Sequence, residues 1–166
     1  MSINPRRPDI LFICLGNICR SPLAEGITRA LIHQRNLDLT VASAGTGKWH
    51  IGEPPHKGSQ RVALAHHIDI SLQRARHISS FDLPNIPWLL VMDEQNRSDV
   101  IDFSKGSLSA QQIQLLRVFE EGPSGQAPPI GVPDPYYGNG KQAFDEVYSI
   151  IQRSCENLLT AVINHC

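Results

Sequence analysis

One stretch near the amino terminus constrains the fold of this chain more than any other. Residues 9–25 read DILFICLGNICRSPLAE. Residues 10–13 are apolar without polar alternation, as in a strand that is covered on both faces of a parallel sheet. A cysteine, five residues and an arginine follow, and Ser21 and Pro22 then precede an amphipathic segment. The pattern predicts a strand, a tight loop and a helix.

The loop at residues 14–20 has the features of an anion site. A helix N-terminus presents unpaired N–H groups and the positive end of the helix dipole, which suits a phosphate dianion. The same field favours the thiolate form of Cys14, which is the nucleophilic form. Arg20 can hold two phosphate oxygens with its planar guanidinium. Gly16 allows the backbone to approach the anion closely, and Asn17 tolerates the left-handed conformation of a curled loop.

Two residues of this stretch have alternative interpretations. Ser21 either caps the following helix, with Pro22 in its first turn, or hydrogen-bonds the sulfur of Cys14. Cys14 taken alone would more often be a buried structural thiol at the end of a core strand. The arginine six residues on, the Gly-Asn turn and the Ser-Pro helix start together favour a nucleophile.

Composition excludes several classes of protein. A chain of 166 residues is expected to form one domain with a substantial core. The formal net charge of −1 argues against a nucleic-acid-binding surface. The cysteines, Cys14, Cys19, Cys155 and Cys166, form neither a dense disulfide framework nor paired metal-ligand spacing. We therefore expect a cytoplasmic protein with no metal, no nucleic-acid partner and no membrane span.

The remaining chain alternates strands and helices behind a flexible arm at residues 1–8. The predicted strands lie at 10–13, 39–42, 86–92 and 113–119, and the predicted helices at 22–36, 56–67, 94–103 and 143–164. A Gly- and Pro-rich loop is predicted at 122–133. This order predicts a single three-layer α/β domain over residues 9–166. It should contain a twisted four-stranded parallel sheet with helices on both faces and the phosphate-binding loop after the first strand.

A second candidate group of residues lies at 134–138, which reads DPYYG. A group that leaves phosphorus as an alkoxide or phenoxide needs a proton, and general acid catalysis accelerates that step by roughly two to four orders of magnitude. Asp134 is the candidate acid, although an aspartate before proline is more often a turn residue. Asp93 follows the third predicted strand at its carboxyl end, where open α/β sheets bind ligands. Trp49 is either an exposed recognition wall or a side chain tucked under its own loop.

Together, CLGNICRSPLAE and DPYYG resemble the signature loop and the general-acid loop of the low-molecular-weight protein tyrosine phosphatases. SAGTGKWHIGEPP, RARHISSFDL and VMDEQN extend the resemblance over nearly the whole chain. The resemblance implies a protein tyrosine phosphatase with a phosphocysteine intermediate on Cys14, a phosphate clamp at Arg20 and a general acid and base at Asp134. It also implies phosphotyrosine-containing protein substrates, inorganic phosphate as product and inhibitor, and no cofactor. A monomer is expected, with weak self-association as the alternative.

The resemblance assigns further residues to the site. Those expected to bind phosphate or substrate are Leu15, Gly16, Asn17, Ile18, Cys19, Ser21, Trp49, Tyr136 and Tyr137, and those expected to support them are Ser43 and Asp93. A phosphotyrosine ring is long enough to reach a deep loop between aromatic walls, whereas phosphoserine would leave such walls unfilled.

Cys19 is predicted to have a redox role. The curl of the loop should bring its sulfur near Cys14, so that a reversible disulfide protects the nucleophile from over-oxidation. The alternative is a buried packing thiol. Two positions depart from the family pattern: His56 stands where many relatives have a carboxylate, and Gln73 where some have a histidine. They leave substrate preference and the polar network beneath the loop open.

Three other functions compete with tyrosine phosphatase activity. Arsenate reductases of this fold shuttle a disulfide through cysteines in the middle of the chain, and this sequence has none between Cys19 and Cys155. Arginine phosphatases of the superfamily carry threonine at the position of Ile18. A phosphopeptide-binding module without turnover is the third alternative, and the joint presence of Cys14, Arg20 and Asp134 argues against it.

Overall fold

The fold consists of one parallel sheet flanked by helices. The structure, a computed structural model, describes residues 4–121 and 130–165. The strands are β1 (Ile10–Cys14), β2 (Val41–Gly45), β3 (Trp88–Val91) and β4 (Ile113–Leu115), in the order β2-β1-β3-β4. The α-helices are α1 (Arg20–Gln34), α2 (Lys57–Ala65), α3 (Glu94–Ser104) and α4 (Gly140–Asn164). All strand pairs are parallel, which confirms the predicted sheet.

The sheet separates two apolar cores. Phe12 packs on one face with side chains of α1, α2 and α4, whereas Leu11 and Ile13 pack on the other face with Val100 of α3. Every residue of β1 is buried, which explains why its sequence shows no polar alternation. Helices therefore cover both faces, and the three-layer α/β prediction is confirmed.

The second strand begins later than predicted. Residues 39–42 were expected, but β2 begins at Val41 opposite Ile10 and ends at Gly45 opposite Cys14. The carboxylate of Asp9 accepts hydrogen bonds from both the N–H and the hydroxyl of Thr40 at 2.7 Å, which holds Thr40 before the strand. The strand consequently extends further toward the loop that follows β1.

The third and fourth strands are both shorter than predicted. The prediction of 86–92 for the third was too long, because Pro87 has no N–H for the ladder and β3 begins only at Trp88. The prediction of 113–119 for the fourth was wrong at its end. Leu115 pairs with Val91, the last residue of β3, and Leu116–Phe119 then form a 3-10 turn.

Helix boundaries also shift by a few residues. The first helix begins at Arg20 rather than at residue 22, so Ser21 lies inside it. The second begins after His56, whose Nδ1 accepts a hydrogen bond from Gly58 at 2.9 Å and caps the helix. It ends before His67, which adopts a left-handed conformation with φ 64°. The last helix begins at Gly140, before the predicted residue 143.

Parts of two predicted loops lie outside the described residues. These are residues 1–3 of the arm and residues 122–129 of the Gly- and Pro-rich loop. Within the arm, Arg7 pairs with Asp82 at 2.6 Å, and the mobility of the arm stays a prediction. Across residues 4–121 and 130–165, no helix is long and apolar enough to cross a membrane.

Candidate active site

The loop between β1 and α1, hereafter the signature loop (residues 14–20), curls at the carboxyl end of the sheet. Its carbonyls are engaged from outside: Gly47 donates its N–H to Leu15 at 2.8 Å, and His56 donates to Ile18 at 2.7 Å. Since these carbonyls point outward, we infer that the N–H groups of the loop face its centre, in a nest suited to an anion.

Asn17 fixes the curl of the signature loop. It adopts a left-handed conformation with φ 56°, which is costly for a residue other than glycine. Its side-chain amide donates to Ser21 at 2.8 Å and to Ser43 at 2.9 Å, and its carbonyl oxygen accepts from the backbone N–H of Arg76 at 2.9 Å. Three buried or half-buried hydrogen bonds thus offset the backbone strain.

The hydroxyl of Ser21 contacts the sulfur of Cys14. The two atoms are 2.9 Å apart, and both residues are buried. The capping alternative for Ser21 is wrong, because α1 begins at Arg20 and Cys19 occupies the cap position. A hydroxyl at this distance can stabilise a thiolate on Cys14 by donating its hydrogen.

Gly45 at the end of β2 allows the signature loop to pack closely. A Cβ atom at this position would lie 2.8 Å from the carbonyl oxygen of Leu15 and 3.1 Å from the nitrogen of Asn17. Any larger residue would push the loop away from the sheet.

Arg20 is buried and held in one orientation. Its Nη1 donates to Asp93 at 2.7 Å and to the carbonyl of Val132 at 2.9 Å, and its Nη2 lies 3.5 Å from Asp134. Burial alone would lower the pKa of Arg20, but the negative charges of Cys14 and of the two carboxylates raise it above its ordinary value. The guanidinium is therefore a fixed positive charge at the base of the site.

Asp134 is positioned by an anchored loop. Val132 donates its N–H to the carbonyl of Met92 at 2.7 Å, which ties this loop to the end of β3. Oδ1 of Asp134 accepts from Tyr136 at 3.1 Å and caps the 3-10 turn Pro135–Tyr137, while Oδ2 faces Arg20. Asp134 is thus a turn residue and a cleft residue at once.

One cavity of about 220 Å³, hereafter the cleft, brings the predicted residues together. It is lined by Cys14, Leu15, Gly16, Ile18, Cys19, Arg20, Trp49, His50, Asp134, Tyr136 and Tyr137. The other predicted residues lie behind this lining. Ser21 contacts Cys14 and Asp93 bonds to Arg20, while Asn17 bonds to Ser21 and to Ser43.

The mouth of the cleft is aromatic and exposed. Trp49 is 71% exposed and Tyr137 is 79% exposed, so Trp49 is an exposed side chain rather than one tucked under its loop. The rings of Tyr136 and Tyr137 meet edge to face at 5.1 Å. His56 stacks on Phe144 at 5.0 Å and presents its ring to the edge of Tyr136 at 6.0 Å.

Cys19 lines the cleft but differs from Cys14 in its ionisation. Burial, with a smaller contribution from the charges of Cys14 and Asp134, raises the pKa of its thiol to about 12. Cys19 is therefore a neutral thiol near pH 7.

Two residues of the site were missed by the sequence interpretation. His50 lies beside Gly16 in the cleft wall, and its Nδ1 is 2.8 Å from the carboxylate of Glu53. Glu25 is buried and accepts a hydrogen bond from Ser43 at 2.7 Å. A carboxylate inside the apolar stretch after the signature loop could have indicated Glu25, but no periodicity or spacing indicates His50.

The comparison with known proteins agrees with this geometry. The sequence profile of the family described as low molecular weight phosphotyrosine protein phosphatase matches residues 9–165. The chain belongs to that family. It is accordingly an enzyme of the protein-tyrosine-phosphatase class, as the resemblance of its two loops predicted.

Relatives of this phosphatase span almost its whole length. The low molecular weight protein-tyrosine-phosphatase PtpA of Staphylococcus aureus is 38% identical over 156 residues, which cover 93% of this chain and 94% of the relative. The crystal structure of YfkJ from Bacillus subtilis is 36% identical, with a TM-score of 0.82 over 96% of each chain. The crystal structure of DARP, a Drosophila arginine phosphatase, is 30% identical, with a TM-score of 0.81 over 93% of this chain and 97% of that one.

Proposed function

We propose that this phosphatase hydrolyses phosphotyrosine in proteins, and small aryl phosphates, through a phosphocysteine intermediate on Cys14. The convergence of the Cys14 sulfur, the Arg20 guanidinium and the Asp134 carboxyl in one cleft with an aromatic mouth carries the proposal. A nucleophile, a fixed cation and a proton donor are the three groups that displacement at phosphorus requires.

In the first step, the Cys14 sulfur attacks phosphorus, and the bond from phosphorus to the phenolic oxygen breaks. The phosphoryl oxygens lie among the N–H groups of the signature loop and the free face of Arg20, whose Nη1 stays on Asp93. The phosphate takes the place of Asp134 at Nη2. Asp134 gives its proton to the leaving oxygen as general acid.

In the second step, water attacks the phosphocysteine. Asp134, now a carboxylate, takes a proton from that water, the bond between sulfur and phosphorus breaks, and inorganic phosphate leaves with Cys14 restored as a thiolate. Ser21 donates its hydroxyl hydrogen to the departing sulfur, which it contacts at 2.9 Å. Inorganic phosphate is thus a product and should inhibit by occupying the same nest.

Phosphotyrosine is the proposed substrate because of the depth and walls of the cleft. The nucleophile is buried, whereas Trp49, Tyr136 and Tyr137 extend from the mouth into solvent. An aromatic ring spans this distance and stacks on the walls, while the shorter phosphoserine would not. The S. aureus relative carries the name protein-tyrosine-phosphatase, which supports this substrate class.

Phosphoarginine is the second candidate substrate, because one similar structure is that of an arginine phosphatase. Ile18 lines the cleft here, and its apolar side chain favours an aryl group over a guanidinium. Arsenate reduction through a cysteine shuttle is not supported, since Cys155, the described cysteine outside the signature loop, is fully buried in α4.

The test compares initial rates on matched phosphotyrosine and phosphoarginine peptides. We expect a higher kcat/KM for phosphotyrosine, and acid quenching during turnover should trap phosphate on Cys14. Ile18→Thr should shift the ratio toward phosphoarginine, whereas the control Val118→Thr, at an exposed valine outside the lining of the cleft, should not. A ratio that favours phosphoarginine in the parent enzyme would overturn the substrate assignment, and an unlabelled Cys14 would overturn the intermediate.

The same proposal includes a redox role and a location. Oxidation of Cys14 by peroxide would give a sulfenic acid, and attack by the Cys19 sulfur would close a disulfide with loss of water. An enzyme that works through the thiolate of Cys14 needs a reducing compartment, which agrees with the cytoplasmic location expected from the cysteine content.

A further inference from the structure

A second cavity, hereafter the distal groove, lies between α1 and the segment 67–76. Its volume is about 810 Å³, and none of its lining residues lines the cleft. Such a volume is within the range of roughly 300–1,000 Å³ typical of small-molecule sites. The groove therefore has room for a ligand of its own.

The distal groove is positively charged although the chain as a whole has a formal charge of −1. Arg29, Arg74 and Arg76 line it against two carboxylates, Glu25 and Asp69. The side chains of Arg29 and Arg76 are 61% and 42% exposed, and Nη1 of Arg74 is fixed by backbone carbonyls at 2.7 and 2.8 Å. Nη2 of Arg29 donates to Glu25 at 2.8 Å and to the carbonyl of Val41 at 3.1 Å, and its remaining donors, with those of the other two arginines, attract an anion.

The groove also has an apolar strip. Leu72 is 87% exposed, and it lines the groove together with Ile68 and Ala30. An exposed leucine between arginines costs hydration free energy and offers contact area to an apolar ligand group. The side-chain oxygen of Gln73 is buried without a hydrogen-bond partner among the described residues. A ligand that combines an anionic group with an apolar body fits this lining.

Arg76 connects the groove to the signature loop. Its guanidinium in the groove lies 3.7 Å from Glu25, and its backbone N–H donates to Asn17 at 2.9 Å. Glu25 is connected to Asn17 through Ser43. The hydroxyl of Ser43 donates a hydrogen bond to Glu25 and accepts one from the side-chain amide of Asn17 at 2.9 Å. An anion that draws the arginine away from Glu25 perturbs both hydrogen-bonded paths to Asn17.

We propose that the distal groove binds a small organic anion, with a phosphate or carboxylate group on an apolar body, and that its occupancy changes the affinity of the signature loop for phosphate. The groove is a binding site separate from the cleft and takes no part in the proposed hydrolysis. Its ligand acts as an effector, through the contacts of Arg76 and Glu25 with the support of Asn17.

Backbone amide shifts in NMR titrations test the binding. With vanadate filling the cleft, hexylphosphonate and hexanoate are added separately, and hexanol serves as the neutral probe of equal chain length. We expect saturable shifts at Arg29, Ala30 and Leu72 with at least one anion and none with hexanol. The tighter of the two anions identifies the ligand as a phosphate or a carboxylate.

Two variants test whether the arginines of the groove bind the anion. Arg74→Gln should weaken binding about tenfold, because it removes one guanidinium from the anion. Arg61→Gln, which changes an arginine of α2 outside the groove, should leave binding unchanged. The absence of saturable shifts, equal shifts with hexanol, or equal weakening by both variants would overturn the site.

The coupling is tested by repeating the titration of the groove with the cleft empty. The dissociation constant read from the groove amides should change at least twofold, and vanadate affinity should change by the same factor when the groove is filled. Equal dissociation constants would overturn the coupling. Because the amides report binding without turnover, this outcome is independent of whether the enzyme hydrolyses phosphotyrosine.

Discussion

The floor and the rim of the cleft are built in opposite ways. The floor consists of five buried residues, Cys14, Asn17, Arg20, Ser21 and Ser43. Hydrogen bonds join four of them to one another, and Arg20 is held by Asp93 and Val132. The rim consists of Trp49, Tyr136 and Tyr137, which project into solvent. The two tyrosine rings contact each other, and the ring of Trp49 lies against Gly47. A substitution in the floor removes buried hydrogen bonds, whereas a substitution in the rim removes only contact area.

This contrast assigns different tasks to the two regions. Preorganised donors in a buried site stabilise charge in a transition state without reorganising, so the floor should determine the chemical step. Exposed aromatic side chains contribute contact area to a bound ring and little to folding, so the rim should determine substrate affinity. Substitutions in each region should therefore separate kcat from KM.

The largest effect is expected from Cys14→Ser. Turnover of aryl phosphates should fall by at least about a thousandfold, because a serine hydroxyl in the same place is not ionised. Vanadate binding, measured by fluorescence of the tryptophans, should persist since the nest is unchanged. Residual turnover within tenfold of the parent enzyme would contradict the covalent mechanism.

Arg20→Lys should be nearly as damaging. Loss of the planar fork should lower kcat about a hundredfold or more, although the positive charge is retained. Steady-state kinetics on an aryl phosphate measures the loss. Arg97→Lys, at a half-buried arginine of α3 that pairs with Glu94 outside the cleft, is the matched control and should leave kcat unchanged.

Asp134→Ala should lower the rate selectively. With phosphotyrosine we expect a loss of about a hundredfold or more, since a poorly stabilised phenoxide needs the proton. With a highly acidic nitrophenyl phosphate the loss should be below tenfold. A series of substituted phenyl phosphates measures this dependence, and an equal loss across the series would mean that Asp134 only caps its turn and that Asp93 is the next candidate acid.

Ser43→Ala tests the supporting network of the floor. It leaves Asn17 and buried Glu25 each without one partner, so we expect about 1–3 kcal/mol of destabilisation and a roughly tenfold loss of kcat. Ser154→Ala is the matched control, because that buried hydroxyl donates to Ile150 within α4. Thermal unfolding and kcat should both change in the first variant, and kcat should stay constant in the second.

The smallest effect on the enzyme is expected at the rim. Trp49→Ala and Tyr137→Ala should raise KM for a phosphotyrosine peptide several-fold and change the free energy of unfolding by less than about 0.5 kcal/mol. Leu64→Ala, at another exposed apolar side chain, should change neither quantity. A fall in kcat with unchanged KM would mean that the rim takes part in the chemical step.

The elements that depend on residues adjacent in the chain were predicted correctly from the sequence. The apolar run of β1 and the motif of the signature loop depend on residues adjacent in the chain, and the structure has them where they were predicted. The ends of β2 and β4 were wrong because partner strands determine them: β4 ends where Val91 ends β3. Helices differed at their caps, as with His56, whose capping depends on its side-chain orientation.

The same distinction holds for the cleft. The residues with motif signals, such as Cys14 and Asp134, line it together. His50 and Glu25 were missed because their positions depend on contacts with Gly16 and Ser43 across the fold. Ser21 was left open between two interpretations, and the starting residue of α1 decided between them.

The burial of Cys19 has a consequence for how fast the enzyme could protect itself from peroxide. Burial raises the pKa of its thiol to about 12, so nearly all Cys19 is protonated at pH 7. Under the redox role proposed for Cys19, disulfide closure on an oxidised Cys14 would compete with a second peroxide molecule, and each rise of one pH unit should speed closure about tenfold. After a fixed peroxide exposure, the activity recovered with dithiothreitol should be higher at pH 8 than at pH 6, and Cys19→Ser should abolish this difference. The rate of disulfide closure, which depends on deprotonation of Cys19, would then determine how much activity is protected.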